Sequence, residues 1–123
     1  MVSVRYLVHD VVEAIAFYRR LGFELRQQFG PAMAIVVRDD LILWLAGPRA
    51  SAARPMPDGR TPEPGGWNRF VLQVTDLAAL VETLRAQGVP FRNDIIEGPG
   101  GRQILCEDPS GNVVELFEPA ASR

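Results

Sequence analysis

The sequence predicts an α+β fold built from two repeated β-α-β-β-β modules, and three observations predict it. An Asp-opened, Gly-closed helical stripe occurs twice at one spacing. Strand-like runs flank both copies in the same order. A Pro- and Gly-rich stretch separates the two.

The first run, Val4 to Val8, alternates and reads as a strand. Asp10-Val11-Val12-Glu13 has the form of a capping box. The Asp side chain can accept free N–H groups of the first turn, and Glu three residues on can reach back. Val11, Ala14, Ile15 and Tyr18 follow at helical spacing, and Gly22 supplies a left-handed stop. Three strand-like runs come next, Phe23 to Phe29, Ala32 to Arg38 and Leu41 to Ala46, separated by Gly30-Pro31 and Asp39-Asp40. Gly47 to Trp67, rich in Pro, Gly and Ala, reads either as a flexible linker or as a lid, since long loops in compact domains are often functional.

The second copy repeats the first. Phe70 to Val74 lies over Val4 to Val8. Asp76 opens a stripe of Leu77, Leu80, Val81 and Leu84, and Gly88 closes it. Asp10 to Asp76 and Gly22 to Gly88 are both 66 positions, a coincidence of cap and stop that chance does not readily give. Phe91 to Ile96, Arg102 to Glu107 and Asn112 to Phe117 supply the later strands, with turns at Gly98-Pro99-Gly100-Gly101 and Asp108-Pro109-Ser110-Gly111. The last strands align at an offset of 71, so the second copy carries about five extra residues, most simply in its Gly-rich turn. The expected organisation is one domain, with module one at 1–48, a connecting loop at 49–66 and module two at 67–119.

Composition narrows the function classes. A chain of 123 residues can bury a core without staples. A net charge of −2 gives no basic footprint for nucleic acid or an anionic membrane. The start lacks a signal-peptide apolar region, and Leu41 to Ala46 is far too short to span a bilayer. The single Cys106 forms no internal disulfide and fits a reducing, cytoplasmic setting. No phosphate loop, Ser/His/Asp arrangement or zinc spacing occurs.

The stretch Asp10…Phe17-Tyr18…Leu21-Gly22-Phe23 and the closing Glu107-Asp108-Pro109-Ser110-Gly111-Asn112-Val113-Val114-Glu115-Leu116 resemble the vicinal oxygen chelate superfamily, which includes glyoxalase I, bleomycin-resistance proteins and extradiol dioxygenases. The resemblance covers nearly the whole chain. It implies an incomplete eight-stranded barrel around a central cavity, and a homodimer, with the modules paired within one chain or swapped between chains. In metal-dependent members, side chains from the first and last strand of each module meet at one ion. Carried over by the offsets, those positions are Ser3, Trp44, Arg69 and Glu115. Only Glu115 is a usual ligand, and the Arg69 guanidinium would repel a cation. No metal and no cofactor are therefore expected.

Strand alternation sends Ser3, Arg5 and Leu7 to one face and, by the repeat, Arg69, Val71 and Gln73 to the matching face. The candidate ligand-binding residues are Ser3, Arg5, Trp44, Arg69, Gln73 and Glu115. One reading pairs Arg69 with Glu115 as an ion pair; the other, which can hold alongside it, has Arg5 or Arg69 clamp a carboxylate, phosphate or enolate oxygen. Trp44 is either a flat wall for a planar ligand or core filling. Gln73 either orients a ligand or bonds backbone. His9, before the first helix, reads as exposed or locally bonded. Asp39-Asp40 and Glu107-Asp108 read as solvated acids beside turns, and Cys106 as a buried inert thiol. The leading expectation is a metal-independent protein that binds or sequesters a small anionic or planar molecule. The alternative is a lyase, isomerase or dioxygenase acting on a small oxygenated substrate, with Glu115 as general base. A subunit or regulatory domain used for protein contact has little support.

Overall fold

The computed structural model describes residues 2–121. It divides into two compact units. One runs to Gly65 and takes in Pro109–Asn112, and the other runs from Gly66 to Asp108 and resumes at Val113.

In the first unit β1 (Ser3–Leu7), α1 (Val11–Arg20), β2 (Glu24–Phe29), β3 (Met33–Arg38) and β4 (Leu41–Ala46) follow the expected order. The sheet order is β1-β4-β3-β2, with β1 parallel to β4 and the other pairs antiparallel. A helical crossover lets two strands distant in sequence run side by side in the same direction. Asp10 caps α1 through a side-chain oxygen that accepts from the Glu13 N–H at 2.9 Å. The reciprocal half of the capping box, from the Asp10 N–H to the exposed Glu13 carboxylate, is not made. Gly22, at φ 91°, ends the helix as expected, and Gly88 does so at φ 83° for the second helix. Val11, Ala14, Ile15, Phe17 and Tyr18 are buried against the sheet. Tyr18 meets Phe17 and Phe23 edge-on, with ring centroids 4.9 and 5.4 Å apart. Such pairs add about 0.5–1.5 kcal/mol each beyond their buried area.

The second unit repeats this as β5 (Phe70–Gln73), α2 (Leu77–Ala86), β6 (Ile96–Gly98), β7 (Gly101–Glu107) and β8 (Val113–Pro119), with sheet order β5-β8-β7-β6 and β5 parallel to β8. Asp76 caps α2, accepting from the Ala79 N–H. A second carboxylate joins it: Glu118 of β8 accepts from the Asp76 and Leu77 N–H groups at 3.2 and 3.3 Å, and Arg102 holds it at 2.8 Å. No helix among the described residues is long and apolar enough to cross a membrane.

The sixth strand departs from expectation. Phe91 to Ile96 is not a strand; Phe91 makes one isolated bridge to Cys106, and the ladder begins at Ile96. Asn93 accounts for the gap, because its side-chain oxygen takes the Leu105 N–H at 2.9 Å and replaces a backbone acceptor. Of the acids at 107 and 108, expected to be solvated, the second is buried and the first is half-buried in an ion pair. Asp108 is only 2% exposed, and Glu107 is bound by Arg92.

Asn112 organises the turn that belongs to the first unit. Its side chain, in a residue 5% exposed, donates to the Leu7 carbonyl at 2.7 Å and accepts from the Gly65 N–H at 2.8 Å. Ser110 Oγ accepts from the His9 N–H at 2.8 Å, so His9 is exposed with its backbone locally bonded.

Two predictions follow from these contacts. Asn112→Ala leaves a backbone donor and acceptor without their partner and lowers unfolding free energy by about 1–3 kcal/mol. Asn112→Asp, which cannot donate to Leu7, is no better. An unchanged urea midpoint in both variants would show that the contacts carry no weight. The Arg102 hydrogen bond, and then the Leu77 N–H, hold the Glu118 carboxyl below its usual range. A depressed carboxylate contributes stability that is present above its unfolded value and lost as pH falls through its folded value. Acid denaturation of Glu118→Gln is therefore less steep than that of the parent below the ordinary carboxylate range.

Candidate functional site

In each unit one sheet face is covered by the helix, and strand register identifies the residues on the opposite face. In the first unit Val4, Tyr6, Ala34, Val36, Leu43 and Leu45 share the helix side, and the last four are fully buried. Ser3, Arg5, Ile35, Ile42 and Trp44 share the opposite side, because Ser3 pairs with Ile42, and Arg5 and Ile35 flank Trp44 on its two neighbouring strands. The alternation expected of β1 is thus the one observed.

Trp44 is neither open wall nor plain core. It is half-buried, and the Arg5 guanidinium lies over its ring at 4.9 Å from the centroid. A cation over an indole gains about 0.5–1 kcal/mol at an exposed site. The Arg5 guanidinium makes no hydrogen bond or ion pair among the described residues. The Trp44 Nε1–H is buried and has no acceptor among them. This face therefore offers the Arg5 guanidinium, stacked on the indole, as its open donor group, with Ile35 and Ile42 flanking it in register. Ser3 lies exposed on the same face, two residues from Arg5.

The equivalent position in the second unit is built differently. Glu115 pairs with Val71 of β5 and Leu105 of β7, on the face away from Leu72, Ile104 and Leu116. Arg69, just ahead of β5, donates from Nε at 3.0 Å and Nη2 at 2.9 Å, both to Glu115 Oε1. The carboxylate side chain is 10% exposed and the guanidinium side chain 29%. Of the two options the sequence leaves for Arg69, the structure makes the pairing with Glu115. Gln73 lies on the same face, opposite Phe117, and is exposed. The structure thus groups Arg5 with Trp44 and Ser3 in one unit, and Arg69 with Glu115 and Gln73 in the other.

The four positions that the family would use for a metal do not fit one. Trp44 offers no lone pair, Ser3 is a weak neutral donor, and Glu115 Oε1 already receives two N–H groups from a permanent cation. Among the described residues no group of three or more His, Cys, Asp or Glu side chains is placed to hold an ion. Cys106 is buried on the helix side, and burial pushes its thiol up to about 12, so it is no nucleophile at neutral pH. A polar groove of about 650 Å³ at the ends of β2 and β3 mixes Glu24 and Asp39 with Arg26 and Arg38, so it selects neither sign of charge.

Two site-forming residues escape the sequence reading. Trp67 falls in the Gly-rich connection, and Arg92 in a run read as strand. The Arg92 guanidinium stacks over the Trp67 ring at 4.5 Å and donates to Glu107 Oε2 at 2.9 Å. Two aromatic or Arg residues beside Gly65-Gly66 were the available signal, too slight to act on.

The Arg69–Glu115 pair has a measurable signature. Arg69→Met leaves a nearly buried carboxylate alone and costs about 2–3 kcal/mol, toward the low end for buried pairs because Arg69 keeps some solvent. Arg69→Met with Glu115→Leu recovers most of that loss. A single variant as stable as the parent would place the pair among the inert surface bridges.

Comparison with known proteins follows this geometry. The family description "Glyoxalase/Bleomycin resistance protein/Dioxygenase superfamily" matches residues 1–116. No curated protein matches the chain. Among solved structures, a lactoylglutathione lyase from Agrobacterium tumefaciens aligns with TM-score 0.72 at 22% identity, covering 96% of this chain and 92% of that one. A member of the glyoxalase/bleomycin resistance protein/dioxygenase superfamily from Sphaerobacter thermophilus aligns with TM-score 0.69 at 28% identity, covering 96% and 97%. The fosfomycin resistance protein FosX from Listeria monocytogenes, complexed with Mn(II) and sulfate, aligns with TM-score 0.72 at 17% identity, covering 98% and 90%. The chain belongs to the glyoxalase/bleomycin resistance protein/dioxygenase superfamily.

Proposed function

We propose that this member of the superfamily binds a small planar anion without a metal ion, and retains it rather than transforming it. The observation that carries the reading is Arg5, a guanidinium laid over an indole with no acceptor of its own among the described residues. Beside it the buried Trp44 Nε1–H also lacks an acceptor, and leaving a buried donor unpaired costs about 1–3 kcal/mol. A carboxylate or phosphate oxygen is the chemistry that satisfies the Arg5 guanidinium, because its planar fork matches such oxygens. Arg69 does not serve this role, since Glu115 already neutralises it.

The enzyme alternative keeps one observation. Both Arg69 bonds fall on Glu115 Oε1, so Oε2 remains open to accept a proton. Turnover of an α-keto hemithioacetal or a catechol, abolished in a folded Glu115→Gln variant, would favour it.

The binding reading is tested with 2-naphthoate as a planar carboxylate, in a Trp67→Phe background that leaves Trp44 as the one indole of the chain. Trp44 fluorescence changes saturably on titration, with chelator present. Arg5→Ala weakens binding about tenfold or more, and Arg5→Lys recovers part of it because an ammonium keeps charge but not the fork. Undiminished binding in Arg5→Ala, or an absolute requirement for an added divalent ion, would overturn it.

A further inference from the structure

The first unit carries a second recess that the Arg5 site does not use. It is a groove of about 650 Å³ where α1 gives way to β2 and where β3 turns into β4. That volume suits a small organic ligand. Glu24 and Asp39 line it with negative charge, and Arg26 and Arg38 with positive charge. Although opposite charges share the groove, the Glu24, Arg26 and Asp39 side chains make no hydrogen bond or ion pair among the described residues.

The local backbone accounts for this arrangement. Leu25 and Gln27 of β2 pair with Val36 and Ile35, consecutive residues of β3, so Arg26 is the extra residue of a β-bulge. A bulge takes a residue out of the strand alternation and re-aims its side chain. Asp39 occupies the β3–β4 turn at φ 52°, a left-handed conformation that Asp and Asn tolerate. Arg38 lies against Gly22, whose missing side chain makes the room, since a Cβ there would meet Arg38 Nε at 3.3 Å. Arg38 is half-buried and has a partner of its own. One guanidinium is therefore fixed as a wall, while the other and both carboxylates stay open.

A ligand with a single charge is attracted by one pair of these groups and repelled by the other. A ligand that carries both signs a few ångströms apart gains from each pair. We propose that this groove binds a small neutral α-amino acid. Its carboxylate takes the Arg26 fork, and its ammonium donates to Glu24 and Asp39. Its side chain lies toward Leu25 and Val37, the apolar residues of the lining. Arg26 belongs to β2 and Arg5 to β1, the two opposite edges of the sheet, so this proposal and the anion reading stand or fall separately.

The test compares L-alanine with propionate, which lacks its ammonium, and with ethylammonium, which lacks its carboxylate, at one ionic strength. In nitrogen-15 spectra of the full chain, L-alanine shifts the backbone amide signals of Leu25, Arg26 and Asp39 saturably. The dissociation constant is on the order of millimolar, because exposed charge pairs are individually weak. Each single-charge analogue binds about tenfold more weakly. Arg26→Gln and Asp39→Asn each weaken L-alanine binding about fivefold, and unchanged signals away from the groove show that both variants keep the fold. The proposal is overturned by either analogue binding as tightly as L-alanine, by unimpaired binding in both variants, or by unmoved groove signals.

Discussion

In each module the first and last strands lie side by side and run parallel, and this pairing determines what the rest of the module can do. Parallel neighbours cannot be joined by a tight turn, so the chain must cross over through a helix, and the helix must cover one face of the sheet. The face it covers takes Ala34, Val36, Leu43 and Leu45 in one unit and Leu72, Ile104, Val114 and Leu116 in the other. The opposite face then receives whatever the alternating positions carry. Register does the remaining work. It sets Arg5 beside Trp44 and Val71 beside Glu115, so polar chemistry falls at equivalent points of both units.

The two units use that position in opposite ways. In the second, a guanidinium meets a carboxylate and the charges cancel, at the desolvation cost that makes buried pairs weak contributors to stability. In the first, the residue equivalent to Glu115 is Trp44, which cannot cancel a charge but can lie under one. Arg5 consequently keeps its charge and its donors. An asymmetric pair of halves is what a binding protein needs, since a ligand is recognised by groups the fold itself leaves unsatisfied. A fully cancelled pair recognises nothing on its own, and the open Oε2 of Glu115 is the exception that gives the second unit something to offer.

Much of this was legible in the sequence because it rests on local rules. Both Asp caps, both Gly stops, the element order and the face assignment follow from turn chemistry and from periods of 3.6 and 2. The repeat offsets together with the family resemblance brought Arg69 and Glu115 forward, with their pairing left open beside ligand clamping. What stayed hidden depends on side chains that substitute for backbone. Asn93 takes a ladder position and displaces β6, and Asn112 meets a carbonyl 105 positions away. An Asn beside a Gly in a turn reads as ordinary turn chemistry, and nothing in its neighbours announces a distant partner. Glu107 and Asp108 misled for the same reason: acids at a turn are usually wet, and only the three-dimensional neighbours Arg92 and the buried strand end make these two otherwise.

The identity of the groups left open also bears on how poorly these side chains suit a metal ion. A divalent ion needs several lone pairs converging, and substitution at any one ligand position weakens the site without creating another use for it. This chain goes further than weakening. Trp44 and Arg69 are both large, and one supports a cation while the other is one, so each replaces an acceptor by something that attracts or carries positive charge or occupies the carboxylate a metal would need. A guanidinium without an acceptor, stacked on an indole, is the complement of an organic anion rather than of a metal ion. The side chains at these positions therefore suit hydrogen bonding and stacking better than they suit ion coordination.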